Sequence, residues 1–222
     1  MLIVHHLENS RSQRVLWLLE ELGVPYEVKR YERDKKTNLA PAALMKVHPL
    51  GKSPVVEDNG EIFAETGAIM EYIVEAYGAG RLAPPRGTKE YNRYRYWMYA
   101  AEGSYMPPLV FSLFLSRMDE APMPFFAKPI AKKLTNALRE AYLNHTTKAL
   151  FDYVESELGK RPFLAGDELT AADIIMSFPL EAAQTRVEAA KNRKNIPAFV
   201  KKLHARPAYA RALEKGGPYA YA

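Results

Sequence analysis

A chain of 222 residues, 48% of them hydrophobic, has enough apolar side chains for one large domain or two small ones. It contains no cysteine, which excludes disulfide bonds, thiolate metal sites and a cysteine nucleophile. The formal net charge of +5 could indicate a nucleic-acid ligand, but the basic residues are scattered along helical patterns. We therefore do not expect nucleic-acid binding.

The sequence also argues against a metal centre, a membrane span and a secretory signal. His5 and His6 are adjacent on a predicted strand and so point to opposite faces, and the other three histidines show no ligand spacing. No segment approaches the roughly 20 apolar residues that span a bilayer. The first residues lack the basic region that opens a signal peptide. We expect a cytoplasmic protein without metal or cofactor.

Residues 1–78 predict an α/β domain with the element order β-α-β-α-β-β-α. Residues 2–7 and 26–31 have strand character, and an amphipathic helix lies between them. After a charged loop and a short helix, the Asn-Gly pair at 59–60 joins two β-prone runs in a hairpin, which leads into a further helix. This order, with Pro54 opening the third strand, is that of a thioredoxin-like domain.

The remainder of the chain predicts an all-helical domain. Residues 79–88 are rich in proline and glycine and form the predicted linker. No strand pattern returns within 89–222. One helix is expected from Lys89 to Met106, with a kink at the proline pair 107–108 before the helix continues.

Two further features predict where the later helices begin and end. Apolar periodicity predicts a long helix that opens around Ile130 and ends at Leu158. Thr170 and Asp173 have the spacing of an N-terminal capping pair, which predicts a helix that begins directly after Thr170.

The stretch 51–69 contains the clearest candidate binding site. A proline that opens a strand cannot donate to a β ladder, so Pro54 belongs at an edge or bend, and we expect a cis peptide after Ser53. Ser53 would then turn its backbone outward, where it can pair with an extended peptide. Glu65 and Thr66 precede a helix whose first N–H groups suit an anion. With Lys52 as a second anion contact and Glu65 as an ammonium contact, the stretch describes a pocket for a small zwitterionic peptide.

These residues resemble the glutathione site of the glutathione S-transferase family. The family has Asn-Pro-x-Gly-Lys-Val-Pro there, followed by Glu-Ser at a helix start. This chain has His48-Pro49-Leu50-Gly51-Lys52-Ser53-Pro54 and Glu65-Thr66. Thr66 keeps the hydroxyl and Ser53 would act through its backbone, whereas His48 in place of Asn departs from the pattern. The predicted two-domain order also matches, so the resemblance spans the whole chain.

The resemblance implies a role for each residue of this stretch. Lys52 would contact the glycyl carboxylate of glutathione, and Glu65 and Thr66 its γ-glutamyl end. The backbone of Val55 would pair with the cysteinyl unit beside the cis Pro54. Outside this motif, charged residues such as Lys52 and Glu65 would simply be read as solvated surface.

Ser10 is the candidate catalytic residue. It stands where the first helix begins, and with Arg14 four residues later it resembles the serine-type transferases, whose hydroxyl donates to the glutathione sulfur. Such a donor is needed because only the thiolate is nucleophilic, and a free thiol has a pKa of about 8.5. Ser12 remains the alternative donor. In a purely structural role, either serine would cap the helix.

The remaining candidates lie on the predicted helix of this chain that corresponds to the fourth helix of the resembled family. Residues 101–104, Ala-Glu-Gly-Ser, resemble a fungal and bacterial branch of the family. Acidic residues of this helix reach the glutathione of a neighbouring subunit in several classes, which suggests that role for Glu102, with a salt bridge as the alternative. Tyr105, Met106 and Phe111 are the candidates for the electrophile site in the cleft between domains. At least half of the aromatic and Met stripe on this helix is expected to be helix-bundle core instead.

The sequence thus predicts a homodimeric glutathione transferase that activates the thiol of glutathione for attack on small apolar electrophiles, with glutathione as a co-substrate. One alternative is another glutathione-dependent enzyme on this scaffold, such as an isomerase, dehalogenase or peroxidase. The absence of cysteine argues against the disulfide-forming members. The other alternative is a non-catalytic binding module, against which the intact candidate site counts.

Overall fold

The computed structural model describes residues 1–221. The elements of its N-terminal domain are β1 (Leu2–Leu7), α1 (Gln13–Leu22), β2 (Tyr26–Tyr31), a 3₁₀ turn (Ala42–Lys46), β3 (Val55–Asp58), β4 (Glu61–Ala64) and α2 (Thr66–Tyr77). The strands form one sheet in the order β2-β1-β3-β4. β1 and β2 are parallel, whereas β3 is antiparallel to both of its neighbours. The predicted thioredoxin-like order is confirmed, with the short second helix present as a 3₁₀ turn.

The second part of the chain is helical, as predicted. Its elements are α3 (Lys89–Ala100), a π-turn (Ala101–Tyr105), α4 (Met106–Glu120), α5 (Ala127–Leu138), a second π-turn (Arg139–Leu143), α6 (Asn144–Lys160), α7 (Ala171–Arg186), a 3₁₀ turn (Glu188–Ala190), α8 (Asn195–His204) and α9 (Pro207–Gly216). No helix within residues 1–221 is long and apolar enough to cross a membrane. The domain limits at 78 and 89, with the linker 79–88 between them, stay a prediction.

The helix expected from Lys89 to Met106 is interrupted earlier than predicted. The chain widens into the first π-turn, in which the N–H of Met106 bonds the carbonyl of Ala101, and the prolines 107–108 lie in the first turn of α4. Proline lacks an N–H, and its ring clashes with the carbonyl four residues before it. A π-turn relieves that clash upstream of the prolines. The irregularity therefore precedes the prolines. The predicted kink of the helix axis at the prolines themselves stays a prediction.

Helix α1 lies between the two parts of the chain. Nine of its ten residues are buried, and Trp17 packs edge-on against Tyr209 of α9 with 5.3 Å between the ring centroids. Arg14 is almost fully buried and donates to the carbonyl of Ile175 on α7 at 2.5 Å. This packing fixes the start of α1 where the sheet meets the helical part, so the loop between β1 and α1 faces the gap between them.

Helix α7 begins with the predicted capping box. The carboxylate of Asp173 accepts hydrogen bonds from the N–H of Leu164 at 2.7 Å and from the N–H and hydroxyl of Thr170 at 2.8 and 2.9 Å. The residues of α7 from Ala171 to Ala183 are all buried. The cap thus anchors a core helix, which carries two residues of the site described below.

Candidate functional site

A cleft of about 610 Å³ opens between the sheet and the helical part of the molecule. Its floor is the loop between β1 and α1, and the far wall is formed by α4 and α7. The residues around it are Leu7, Asn9, Ser10, Arg11, Arg33, Leu39, Ala40, Met45, Leu50, Gly51, Lys52, Ser53, Met106, Val110, Phe178 and Arg186. A larger pocket of about 940 Å³ lies beside the predicted linker and includes none of the candidate residues.

A side recess of about 80 Å³ lies next to the cleft. It is lined by Arg11, His48, Leu50, Lys52, Ser53, Pro54, Ala64, Glu65 and Thr66. Lys52 and Ser53 line both cavities. The cleft and the recess therefore bring Ser10, Lys52, Ser53, Glu65 and Thr66 together around two adjacent cavities.

Of the two candidate serines, only Ser10 lines the cleft. Its Oγ accepts the N–H of Ser12 at 3.3 Å and lies 2.8 Å from the hydroxyl of Ser12. Ser12 is fully buried behind it, with its own Oγ 2.8 Å from Nδ1 of His6 and 3.4 Å from the carbonyl oxygen of Leu7. A ligand in the cleft can therefore touch the hydroxyl of Ser10 but not that of Ser12.

His6 is a buried member of this chain of hydrogen bonds. Burial, helped by the positive charge of Arg30, lowers the pKa of His6 to about 4, so the ring is neutral at pH 7. From the sequence, His6 was predicted only to be a strand residue. The strand alternation placed it on one face of the sheet, but gave no signal that Ser12 would lie against that face.

The residues around Pro54 connect the recess to the sheet. The Ser53–Pro54 peptide is cis, in agreement with the sequence. The hydroxyl of Ser53 donates to the carbonyl of His5 at 3.1 Å and accepts the N–H of Leu7 at 3.2 Å, so its side chain is bound to β1. A ligand therefore has the backbone of Ser53, not its hydroxyl, to pair with. Lys52 is exposed at the edge of both cavities.

The structure does not support the role expected of Val55. It begins β3, an inner strand, and pairs with His5 of β1 on one side and Ala64 of β4 on the other. Its side chain is buried and lines neither cavity. An inner strand leaves no edge for a ligand, so a bound peptide would have to pair with Ser53, one residue before the cis proline.

Glu65 and Thr66 stand at the start of α2. Glu65 has φ of 70°, a left-handed conformation that is uncommon outside glycine and that clusters at functional sites. It is exposed at the recess, whereas Thr66 is buried as the first residue of the helix. The first N–H groups of a helix lack intrahelical partners and attract anions, so this end of the recess suits a carboxylate.

Glu102 forms ion pairs within its own chain. Its carboxylate oxygens lie 2.8 Å from Arg11 and 2.6 Å from Arg14, and Glu102 lines neither cavity. This is the salt bridge that the sequence left open as the alternative, and contact with a neighbouring subunit's glutathione stays a prediction. Arg11, which lines both cavities, was missed. Burial lowers its pKa, and the charge of Glu102 offsets part of that shift.

Two of the three electrophile candidates face away from the cleft. Tyr105 is fully buried and its hydroxyl donates to the carbonyl of Leu150 at 2.9 Å. Phe111 packs edge-on against Tyr142, with 5.8 Å between ring centroids, and lines neither cavity. Both assignments were wrong, because these side chains belong to the packing among the helices. Met106 does line the cleft.

The apolar wall instead continues with residues that were not among the predicted candidates. Val110 lies four residues after Met106 and so shares its helix face, a spacing that could have identified it. Phe178 and Arg186 come from α7. Their positions in the sequence carried no signal that this helix would border the cleft.

Comparisons with known proteins agree with this architecture. The chain matches the family models for the glutathione S-transferase N-terminal domain over residues 1–75 and the C-terminal domain over residues 116–207. It is 38% identical to Glutathione S-transferase 3 of Schizosaccharomyces pombe, covering 97% of this chain and 88% of that protein. It is 35% identical to Glutathione S-transferase 1 of Saccharomyces cerevisiae, covering 96% and 94%.

A solved structure gives the same result. The crystal structure of a glutathione S-transferase from Actinobacillus pleuropneumoniae superposes with a TM-score of 0.81 at 31% identity and covers all of this chain and 95% of that one. The fold, the cleft and these matches define a glutathione-dependent transferase. The chain belongs to the glutathione S-transferase family and is an enzyme of that family, a glutathione transferase.

Proposed function

We propose that this enzyme is a serine-type transferase, of the branch with the Ala-Glu-Gly-Ser segment, in which Ser10 stabilises the thiolate of glutathione for attack on small electrophiles with an apolar body. The observation that carries the proposal is the position of Ser10. Its hydroxyl borders the cleft beside the start of α1, and the chain of Ser12 and His6 holds it from behind.

Glutathione would bind across the recess and the cleft. Lys52 would pair with the glycyl carboxylate, while Glu65 would hold the ammonium of the γ-glutamyl end and Thr66 its carboxylate. The backbone of Ser53 would pair with the cysteinyl unit. This arrangement directs the sulfur toward Ser10, because Ser10 and Ser53 border the same cleft and their hydroxyl oxygens are 3.5 Å apart.

The chemistry requires a lowered thiol pKa. A hydroxyl that donates to sulfur, together with the positive end of the α1 dipole, stabilises S⁻ relative to SH. Each unit by which the thiol pKa falls corresponds to about 1.4 kcal/mol. The thiolate then forms a carbon–sulfur bond with an electrophile seated against Met106, Val110 and Phe178, by addition or by displacement of a leaving group.

Other glutathione-dependent reactions on this scaffold are the second candidates. An isomerase, a dehalogenase or a peroxidase would use the same thiolate, and only reactions that need a cysteine of the protein are excluded by the sequence. A cytoplasmic location, a homodimer and the absence of a cofactor also remain predictions. Among residues 1–221 no group of three metal-ligating side chains comes together.

A substrate panel tests the proposal. Purified protein and glutathione are incubated with haloaromatics, unsaturated carbonyl compounds and organic peroxides, and retention on immobilised glutathione is measured in parallel. We expect conjugates with haloaromatics or unsaturated carbonyls and loss of conjugation in Ser10→Ala. Turnover of peroxides alone would favour a peroxidase. Retention without any turnover would favour a binding module over the proposed reaction.

A further inference from the structure

The cleft carries more positive charge than glutathione alone requires. Four cationic side chains line it, namely Arg11, Arg33, Lys52 and Arg186, and no Asp or Glu does. Glutathione has two carboxylates and one ammonium group, and the recess already offers Lys52 and the start of α2 to the carboxylates. At least one cation of the cleft therefore has no partner in the proposed complex.

Three of the four cations have an explanation within the chain. Arg11 is paired with Glu102 at 2.8 Å. Arg33 donates to the backbone carbonyls of Glu8, Asn9 and Asn38, at 3.3, 3.4 and 3.1 Å, and so stabilises its own loop. Lys52 belongs to the glutathione motif.

Arg186 is different. Among residues 1–221 no carboxylate lies within 4 Å of its guanidinium, which donates to the hydroxyl of Tyr221 and lies 5.8 Å from the centre of that ring. A guanidinium has five N–H donors in a planar fork that matches a carboxylate. One neutral hydroxyl leaves most of that capacity unused in a half-buried position.

The place of Arg186 is on the electrophile side of the cleft. It ends α7, about 12 Å along the helix axis from Phe178, and long helical side chains lean toward the N-terminus, here toward Phe178. Phe178, Met106 and Val110 form the apolar wall of the same cleft. An occupant of that wall would thus place its far end near the guanidinium.

We propose that the second substrate of this enzyme carries an anionic group, such as a carboxylate, on its apolar body, and that Arg186 binds that group. The inference rests on the proposed function, because it concerns the co-substrate of the same cleft. Arg186 would act as a specificity-determining residue: an electrophile with a carboxylate gains a charged hydrogen-bonded pair that its neutral analogue cannot form.

Paired electrophiles test this assignment. 4-Chloro-3-nitrobenzoate and 4-chloro-3-nitrobenzamide react with glutathione in the same way, since sulfur bonds to the ring carbon and chloride leaves. Each kcat/KM is divided by the uncatalysed rate constant at the same pH. We expect the enzyme to favour the benzoate by about 10- to 100-fold. Arg186→Met should abolish that preference and lower the benzamide rate by less than threefold.

The control is Arg117→Met, which removes the same charge from an exposed position on α4 outside the cleft and should keep the preference. No preference for the benzoate in the wild type would overturn the proposal. An equal loss of kcat/KM with both compounds in Arg186→Met would show that Arg186 has a structural role. A rise in the KM for glutathione alone would assign Arg186 to glutathione instead.

A binding measurement separates this inference from the proposed reaction. Titration calorimetry in the presence of S-methylglutathione compares 3-nitrobenzoate with 3-nitrobenzamide, neither of which has a leaving group. We expect at least tenfold tighter binding of the benzoate, lost in Arg186→Met. That result supports the anion site even if no electrophile is turned over. Equal binding of both compounds alongside normal conjugation of neutral haloaromatics would reject the anion site and leave the transferase proposal intact.

Discussion

At the scale of single residues, the direction of one hydrogen atom governs the proposed chemistry. Two acceptors for the single hydroxyl hydrogen of Ser12 lie on the side away from Ser10: Nδ1 of the neutral His6 ring at 2.8 Å and the carbonyl oxygen of Leu7 at 3.4 Å. We expect the hydrogen of Ser12 to point to that side. The hydroxyl of Ser10 then keeps its own hydrogen to turn toward sulfur.

The two ends of glutathione provide the first prediction. Lys52→Ala and Glu65→Ala should each weaken glutathione binding by about 1.5–3 kcal/mol, the contribution of a charged hydrogen bond. Titration calorimetry measures this. Lys46→Ala and Glu61→Ala remove the same charges at exposed positions outside the cleft and recess and serve as controls. Unchanged affinity in both Lys52→Ala and Glu65→Ala would remove the site assignment.

His6 provides a prediction about pH. Its pKa is about 4 in the folded protein and about 6.5 in the unfolded chain. Between these values the unfolded state binds more protons, so stability should fall as the pH drops from 6.5 to 4, by up to about 3 kcal/mol. Urea unfolding across this range should show a smaller slope for His6→Asn than for the wild type or the exposed control His145→Asn. Identical slopes would contradict a buried neutral His6.

At the scale of elements, α7 connects stability to the cleft. Its capping residue Asp173 is fully buried, and desolvation raises the pKa of that carboxyl to about 6 despite the hydrogen bonds it accepts. The same helix supplies Phe178 and Arg186 to the cleft wall. A weakened cap should therefore loosen the electrophile side of the site before the glutathione side.

Asp173→Ala tests how much the cap contributes to stability. Loss of the cap leaves buried N–H groups of Leu164 and Thr170 without an acceptor and should lower the free energy of unfolding by about 2–4 kcal/mol. Asp167→Ala, at an exposed position three residues before Thr170, should change the free energy of unfolding by less than about 0.5 kcal/mol. Chemical unfolding measures both variants. Equal, small effects would mean that the box contributes little.

The order of elements could be predicted because local patterns determine it. Strand alternation, the Asn-Gly turn at 59–60 and the cap at 170–173 all act within a few residues of the chain. The π-turns at 101–105 and 139–143 could not be predicted in the same way. Whether a helix accommodates a proline by a kink or by a π-turn depends on the side chains packed around that helix. A local sequence pattern does not contain this information.

At the scale of the whole molecule, the cleft is assembled from distant segments. The glutathione motif could be read from the sequence because its residues lie within one stretch, and the structure gathers them around two adjacent cavities. The electrophile wall could not, since α7 joins α4 only after the helical part has packed. Tyr105 and Phe111 were misassigned for this reason, because composition alone does not say which face of an aromatic helix meets the cleft.

The quaternary structure is a prediction at this scale. Tyr96 and Tyr99 are exposed on α3, beside Arg95, and would bury apolar surface if a second copy covered them. We expect a homodimer with an interface of roughly 800 Å² per subunit. Sedimentation velocity at micromolar concentration should give the mass of two chains. A monomer at that concentration would also exclude a role for Glu102 across subunits.

The thiol pKa of bound glutathione is the direct measure of what the hydroxyl of Ser10 is proposed to do. Ultraviolet absorption of the thiolate, titrated in the enzyme–glutathione complex, should give a pKa one unit or more below the free value of about 8.5. Ser10→Ala should return that pKa toward the free value, lower turnover roughly 10- to 1000-fold at neutral pH, and leave glutathione affinity largely intact. Ser12→Ala should resemble the wild type. A thiol in the wild-type complex that titrates at the free value, or an undiminished pKa shift in Ser10→Ala, would rule out Ser10 as the residue that stabilises the thiolate.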